Sequence, residues 1–302
     1  MQSSTLMDKY GASLMSSLRR KKVSIAIPAS IVSDVPHLRE KTSKIGMVGR
    51  AAAIFGVEEI IIYKDEPETD QRSEIDLIVT LLRYMETPQY LRKRLFKLRP
   101  ELRYAGILPP LRTPHHPLGK RAADLKVGEY REGVTIAKIK KGTLVDIGVE
   151  KPALVLKRIP IGERVTVKIV SVGEQIAVDV IERQKIPFYW GYTVSVWDGS
   201  FGSLIKSGLF DLKIATSRYG SAFMEVKDEI AERWKKAEKV LVGFGAPAQG
   251  LFEIVKREGL NLTDLVDFVV NTIPGQWTET VRTEEALIAS LAVFNCFLGF
   301  KA

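Results

Sequence analysis

The sequence predicts an α/β protein interrupted by an all-β module, and three observations carry that expectation. Apolar runs of four or five residues alternate with stretches of helical periodicity at both ends of the chain. The middle third instead breaks into five short strand-like segments separated by glycine and proline. That middle third also holds the entire positive excess: Gln89 to Lys185 contains 21 Lys or Arg against 10 Asp or Glu, and the rest of the chain holds 24 against 26.

At 302 residues, two domains are the natural prior. The first twenty-two residues are Ser-rich, end in Arg19-Arg20-Lys21-Lys22, and lack the apolar stretch of a secretory signal, so a frayed or partly helical lead-in is expected. From Val23 the α/β texture begins. Val23 to Ile27 and Ile60 to Tyr63 are continuous apolar runs, the pattern of parallel strands buried on both faces. Ile45, Val48, Ala52 and Phe55 fall at helical spacing and stop at Gly56; Ile75, Ile78, Leu82 and Met85 do the same and stop before Pro88.

Past Pro88 a basic stretch (Arg92-Lys93-Arg94, Lys97, Arg99, Arg103) leads into a proline-rich run at 109, 110, 114 and 117, the texture of a domain boundary. Gly133 to Lys140, Thr143 to Val149, Ala153 to Lys157, Arg164 to Val170 and Gln175 to Ile181 then read as five strands. Five strands of this length suit a small barrel, either an oligonucleotide-binding (OB) fold, whose face commonly holds single strands, or an SH3-like barrel. After Pro187 the α/β texture returns, with strands at Tyr192 to Val196, Leu212 to Ala215, Val240 to Phe244 and Phe268 to Thr272. Helices are expected from Phe223 to about Lys239, with Val226, Ile230, Trp234 and Ala237 on one face, and from Thr283, with Leu287, Leu291, Phe294 and Leu298 on another. Residues 1–88 and 186–302 thus read as one discontinuous domain and 89–185 as an insertion.

Composition bounds the function. Hydrophobic residues make up 45% and charged residues 27%, and no apolar run approaches the roughly 20 residues that span a bilayer, so no membrane span is expected. Cys296 is the single cysteine, which excludes an internal disulfide and fits a cytoplasmic setting; its apolar surroundings suggest a small buried residue. A basic segment of this size points to a polyanion, and RNA is the partner expected. His115 and His116 stand together without metal-type ligands, so they read as loop residues and no metal is expected.

Two loops carry chemistry. Gly243-Phe244-Gly245-Ala246-Pro247-Ala248-Gln249-Gly250 follows a strand and opens a helix, where glycines let a ligand approach backbone amides, or simply make a tight turn. A phosphate loop would place Lys and Ser or Thr after Gly250, where Leu251-Phe252 stand, and a dinucleotide fingerprint would space its glycines differently. Asn271 to Thr280, with Pro274-Gly275 at its centre, lies between a strand and the last helix, where Thr280 or Thr283 would cap and Glu284 or Glu285 would complete an acidic first turn. Two such loops after consecutive strands are expected side by side at the carboxyl edge of a parallel sheet, where small ligands bind.

Three blocks resemble the SpoU motifs of the SPOUT class of methyltransferases, in the archaeal and eukaryotic branch with an OB-like insertion. They are Lys44-Ile45-Gly46-Met47-Val48-Gly49-Arg50 through Val57, Val242 to Leu251, and Ile273-Pro274 through Glu284-Glu285-Ala286. The resemblance covers nearly all of the α/β portions. It implies a trefoil-knotted domain around a parallel sheet, a homodimer, and S-adenosyl-L-methionine (SAM) as cofactor. Carried onto this chain, it implies that Gly243, Gly245, Gly250 and Leu251 border the cofactor. Ile273, Pro274, Gly275 and Gln276 would close over its adenine, and Thr280, Val281 and Ala286 would extend that wall. Arg50 matches the basic residue of the first motif. Arg282-Thr283 replace the usual Asn-Val-Ser run of the third, a departure that falls on catalytic positions. A uridine ring nitrogen must lose its proton before methylation, so Arg50 or Arg282 would stabilise the anion and Glu279 would accept or relay the proton. The function expected is SAM-dependent methylation of RNA, most naturally ribosomal RNA. Methylation of a protein arginine and a non-catalytic RNA-binding assembly role are the alternatives.

Overall fold

The computed structural model describes residues 21–299. The expected N-terminal lead-in lies almost wholly outside them. Contacts divide the described chain into two units, one of Glu86–Pro100 with Leu111–Gly191, the other of residues 21–85 with Glu101–Pro110 and residues 192–299.

The second unit is built on a six-stranded, all-parallel sheet. Its strands are β1 (Lys22–Pro28), β2 (Glu59–Tyr63), β8 (Thr193–Trp197), β9 (Leu212–Ala222), β10 (Lys239–Gly243) and β11 (Phe268–Asn271), in the order β11-β9-β10-β1-β2-β8. The apolar runs are buried on both faces: Ala26, Ile61, Ala215 and Leu241 join one core cluster, and the alternating Ile25, Ile60, Ile62 and Val242 are equally buried. The first cluster is closed by Phe201 and Leu204 of α4 (Phe201–Lys206), Leu251 and Ile254 of α6 (Leu251–Arg257) and Leu262 of α7 (Leu262–Leu265). Helix α1 (Leu38–Ile54) packs on α8 (Thr283–Leu298), and α8 on α5 (Phe223–Lys236), which lies against β9. Helix α2 (Arg72–Glu86) buries Ile78, Leu82 and Met85, three of the four residues that marked its face.

The first unit is a closed barrel of five strands: β3 (Tyr130–Ile139), β4 (Gly142–Asp146), β5 (Ala153–Val155), β6 (Arg164–Ser171) and β7 (Ile176–Val180). The order β3-β4-β5-β7-β6 closes through β3 and β6, with β5 and β7 parallel and every other pair antiparallel. Val145, Ile147, Val155, Val167, Ile169, Ile176 and Val178 fill it. A short helix precedes the barrel, α3 (Gln89–Leu95), which buries Leu91 and ends in Arg92-Lys93-Arg94, the favourable sign of charge at a helix C-terminus.

Three expectations change. Cys296 is exposed, because on α8 it lies off the face that buries Leu287, Leu291 and Phe294. His115 lies in a turn, as expected of a loop residue, but its side chain is fully buried. Strand β9 runs seven residues past Ala215, where it had been expected to stop.

Candidate active site

The carboxyl edge of β11, β9 and β10 carries a cavity of ≈ 240 Å³. The two glycine-bearing loops flank it, but they follow strands that are not neighbours. Strand β9 lies between β10 and β11, so residues of β9 enter the site alongside both loops. From β9 come Thr216, Ser217, Arg218 and Tyr219; from the first loop Phe244 to Gly250; from the second Asn271, Thr272, Ile273, Gln276, Thr280 and Val281. Helix α8 adds Thr283, Ala286 and Ser290, and α6 adds Phe252 and Glu253.

The first loop is held from below and within. The fully buried Tyr63 donates its hydroxyl to the Phe244 carbonyl at 2.7 Å, and burial, with Asp65 and Glu258 nearby, keeps that phenol protonated far above its ordinary range. Ala246 N–H donates to Gln249 O at 2.8 Å, closing a turn in which a Cβ on Gly245 would lie 3.0 Å from that same carbonyl. Gly250 caps α6, its N–H taken by the Glu253 carboxylate at 3.2 Å, and a Cβ there would meet nothing within 4 Å. The first loop is tied to the start of α8, where the second loop ends: the Thr283 hydroxyl donates to Gly245 O at 2.9 Å. In the second loop Asn271 Oδ1 accepts from Ile273 N–H, and Gln276 Nε2 donates to the carbonyls of Thr278 and Glu279. Thr272 and Ser290 share a hydrogen bond of 2.8 Å across to α8.

Of the residues expected to border a cofactor, Gly245, Gly250, Ile273, Gln276, Thr280, Val281 and Ala286 line the cavity. Gly243 and Leu251 do not. A Cβ on Gly243 would lie 2.4 Å from the Phe201 ring, so its smallness serves the packing of α4, and Leu251 is fully buried in the same core. Pro274 and Gly275 are exposed and shape the turn without lining the cavity.

None of the three residues expected to act on the substrate lines the cavity. Arg50 donates to Pro110 O at 3.0 Å. The glycines before it serve close packing: a Cβ on Gly46 would sit 3.0 Å from Pro109, and one on Gly49 would sit 2.8 Å from the Tyr192 hydroxyl. Glu279 contributes its carbonyl, which accepts from Arg218 Nη1 at 2.8 Å, while its side chain is exposed. Arg282, and not Thr280 or Thr283, is the N-cap of α8; its N–H is taken by the Glu285 carboxylate at 2.9 Å. Lys44 of the first motif block is buried and pairs with Asp34 at 2.6 Å and with Glu284 of the third block at 3.2 Å, which fixes α1 against α8.

Sequence reasoning missed the contribution of β9. Arg218 is the single basic side chain among the described residues lining the cavity, and Glu253 the single acidic one. The signal was present in Thr216-Ser217-Arg218-Tyr219-Gly220, a polar run with a glycine directly after a buried strand, but sheet order is needed to place it at the site. Among the described residues no group of His, Cys, Asp and Glu is arranged to hold a metal. No helix is long and apolar enough to cross a membrane among them.

The chain is 32% identical to the 28S rRNA (uridine-N(3))-methyltransferase of Mus musculus over 90% of its own length and 76% of that protein. It is 30% identical to the Homo sapiens protein of the same name, over 90% of this chain and 77% of the relative. It is also 32% identical to an uncharacterized protein of Halobacterium salinarum, over 89% of this chain and 96% of the relative. Residues 22–294 match the family described as "Putative RNA methyltransferase", and the chain belongs to that family of methyltransferases.

Proposed function

We propose that this protein uses SAM to methylate N3 of a uridine in ribosomal RNA, and that the cavity at the carboxyl edge of β11, β9 and β10 is the cofactor site. The observation that carries this reading is that cavity, assembled from two of the three motif blocks in a chain of the RNA methyltransferase family. Its chemistry fits the group. Ile273, Val281 and Ala286 offer apolar surface for an adenine, while the backbone of Gly245 to Gly250 and the side chains of Gln276 and Thr280 offer polar contacts around it. Beside Gly250 there is open space rather than packed protein. The cofactor supplies an activated methyl group on a sulfonium; the protein's part is to hold and orient it and to exclude water.

The finer architecture we propose is the trefoil-knotted SPOUT arrangement, active as a homodimer, with the barrel as an OB-like RNA-binding module. The barrel order β3-β4-β5-β7-β6 supports that last assignment. So does the placement of charge. Arg94, Arg121, Arg131, Arg164, Arg183 and Lys185 pair with carboxylates. Lys138 near the end of β3, Lys140 and Lys141 in the β3–β4 turn, and Lys157 and Arg158 after β5 are exposed and make no ion pair among the described residues. The Thr143 hydroxyl, which donates to Lys157 O at 2.8 Å, holds the two segments together at one end of the barrel, an electrostatic grip for phosphates.

Transfer of labelled methyl from SAM to total RNA and, separately, to total protein from cells lacking the enzyme tests the reading. Label is expected in RNA, recovered as 3-methyluridine after digestion. Label confined to protein would support the arginine alternative, and no SAM binding by calorimetry would leave a non-catalytic assembly role.

A further inference from the structure

In the sheet pairing of β9 with β11, Val269 faces Ala215 and the next residue, Val270, faces Ser221. Five residues, Thr216 to Gly220, therefore leave the ladder on the β9 side and return to it. An excursion of this size is a special bulge, a device found beside active sites because it re-aims side chains. It is pinned at every step. Thr216 Oγ1 donates to Gly243 O at 2.9 Å, Asn271 Nδ2 donates to Arg218 O at 3.0 Å, and Gly220 passes so close to β11 that a Cβ would lie 2.6 Å from the Val269 carbonyl. Four of the five residues line the cavity.

Two of them face outward in a fixed arrangement. The Arg218 guanidinium lies 4.8 Å from the centre of the Tyr219 ring, with Nη2 donating to the Tyr219 hydroxyl at 2.8 Å and Nη1 to Glu279 O. Tyr219 is 68% exposed, and the guanidinium uses two of its five N–H donors. An aromatic ring and a partly unused guanidinium, both immobilised at the mouth of a cavity, match a nucleobase: a flat apolar face with carbonyl oxygens at its edge. A second exposed aromatic, Trp277, follows the cavity-lining Gln276.

We propose that the β9 excursion is the target-base subsite, with Tyr219 stacking on the uracil and Arg218 donating to its carbonyl edge. This rests on the reading that the protein methylates uridine N3. In that reaction the N3 proton passes to solvent and the electron pair left on nitrogen forms the bond to the methyl carbon. The carbon–sulfur bond breaks with its pair remaining on sulfur. The uracil is transiently anionic, its charge spread over the two carbonyl oxygens, and Arg218 is the basic side chain in place to stabilise it. Arg218 is thus assigned the catalytic role expected for Arg50 or Arg282.

Steady-state methylation of RNA by Tyr219→Ala, Tyr219→Phe, Arg218→Ala and Arg218→Lys tests the subsite, with SAM affinity followed by calorimetry on the same proteins. Tyr219→Ala is expected to raise KM for RNA about tenfold, whereas Tyr219→Phe, which keeps the ring, should leave KM near wild type and lower kcat alone, because the hydroxyl that holds Arg218 is lost. Arg218→Ala is expected to lower kcat about 100-fold and to move the alkaline rise of kcat to higher pH, with partial recovery in Arg218→Lys. SAM affinity should change far less than RNA methylation, since both side chains stand at the cavity mouth and face the base. Wild-type methylation of RNA with unaltered kinetics in the alanine variants overturns the subsite alone. Loss of SAM affinity with RNA KM unchanged also overturns it, because the excursion then belongs to the cofactor. Failure of the wild-type protein to methylate RNA overturns both this assignment and the reading on which it rests.

Discussion

In the barrel unit, Arg164 sits between two buried carboxylates and directs its donors at them: Nε to Glu132 at 2.6 Å, Nη1 to Glu86 at 2.6 Å and to Thr87, Nη2 to Glu86 at 3.2 Å. In the α/β unit, Arg218 is held by one carbonyl and one phenol and turns the remainder of its guanidinium to solvent. Around Arg164 the polar atoms are matched. Glu132 also accepts from Thr166 and Trp190, Arg183 pairs with Glu86 at 3.1 Å, and His115 Nε2 donates to Glu86 O at 2.8 Å while its Nδ1 accepts from Thr113. Burial raises the Glu86 carboxyl above its ordinary value despite the arginines. Burial acts on Glu132 the same way, but Arg164 and the Thr166 and Trp190 hydrogen bonds outweigh it and hold that carboxyl low. The same side chain therefore serves stability where its donors are consumed inside the protein, and recognition where they are left over.

The largest expected effect breaks the matched cluster. Arg164→Leu leaves Glu86 and Glu132 buried with too few partners and should cost about 3–5 kcal/mol, read from urea unfolding of the full chain. Arg218→Ala should stay within about 0.5 kcal/mol in the same assay. Equal losses would mean that the two arginines do not differ in the way described.

Gly250→Val sharpens the contrast from the cavity side. Its side chain would meet no protein atom at Cβ, so the fold should survive, while SAM affinity should fall by more than tenfold, about 1.4 kcal/mol or more. Unchanged SAM affinity in a folded variant removes Gly250 from the cofactor wall.

Between pH 7.5 and 5.5, acidification bears on the histidines of the matched cluster. Burial lowers His115 to about 3, and lowers His116 to about 3 with the neighbouring His115 adding to it. Both rings are neutral when folded, whereas the unfolded chain takes up protons near the ordinary histidine value of about 6.5. Their contribution is therefore complete above that value and is lost as pH falls from about 6.5 towards 3. At pH 5.5 each should have cost about 1.4 kcal/mol relative to pH 7.5. The raised Glu86 carboxyl works against this at lower pH, since the folded state then binds its proton more readily. Urea midpoints at pH 7.5 and 5.5 check the sign, and His115→Gln should remove part of the slope.

The smallest effect on stability belongs to the unpaired lysines. Lys138→Gln, Lys140→Gln and Lys141→Gln together should leave unfolding unchanged within about 0.5 kcal/mol. On single-stranded RNA they should reduce the salt dependence of binding by about 0.7 for each phosphate no longer neutralised. An unaltered salt slope would place the RNA elsewhere on the molecule.

The contrast between these regions also explains what the sequence could disclose. Helices α1, α2, α5 and α8 were legible because each must bury one face, and that requirement writes itself as periodicity in Ile45-Val48-Ala52 or Leu287-Leu291-Phe294. The barrel strands were legible from their punctuation. The two cavity loops were legible because glycine and proline mark turns at strand ends. Which face a residue takes was not: Gly243 and Leu251 sit inside the motif yet pack inward against α4. The Thr216 to Gly220 excursion was hidden because it carries no apolar alternation and because β9 reaches the site only through the sheet order. The Arg164 cluster was hidden for a related reason. Its members, from Glu86 to Trp190, are brought together only when the barrel closes.

The sheet order has a consequence for how the chain is made. Strands β1 and β2 pair in register from Ser24 with Glu59, and both are available early in synthesis. The other edge of β1 must wait for β10, where Val23 meets Val240, so the whole barrel is translated while that edge stands open. Non-local parallel pairing of this kind is slow, and an unpaired apolar strand invites association with other chains. A nascent chain arrested after the barrel and before β10 is therefore the species in which this protein is most prone to aggregate. Release of β10 from the ribosome is the event that ends that exposure.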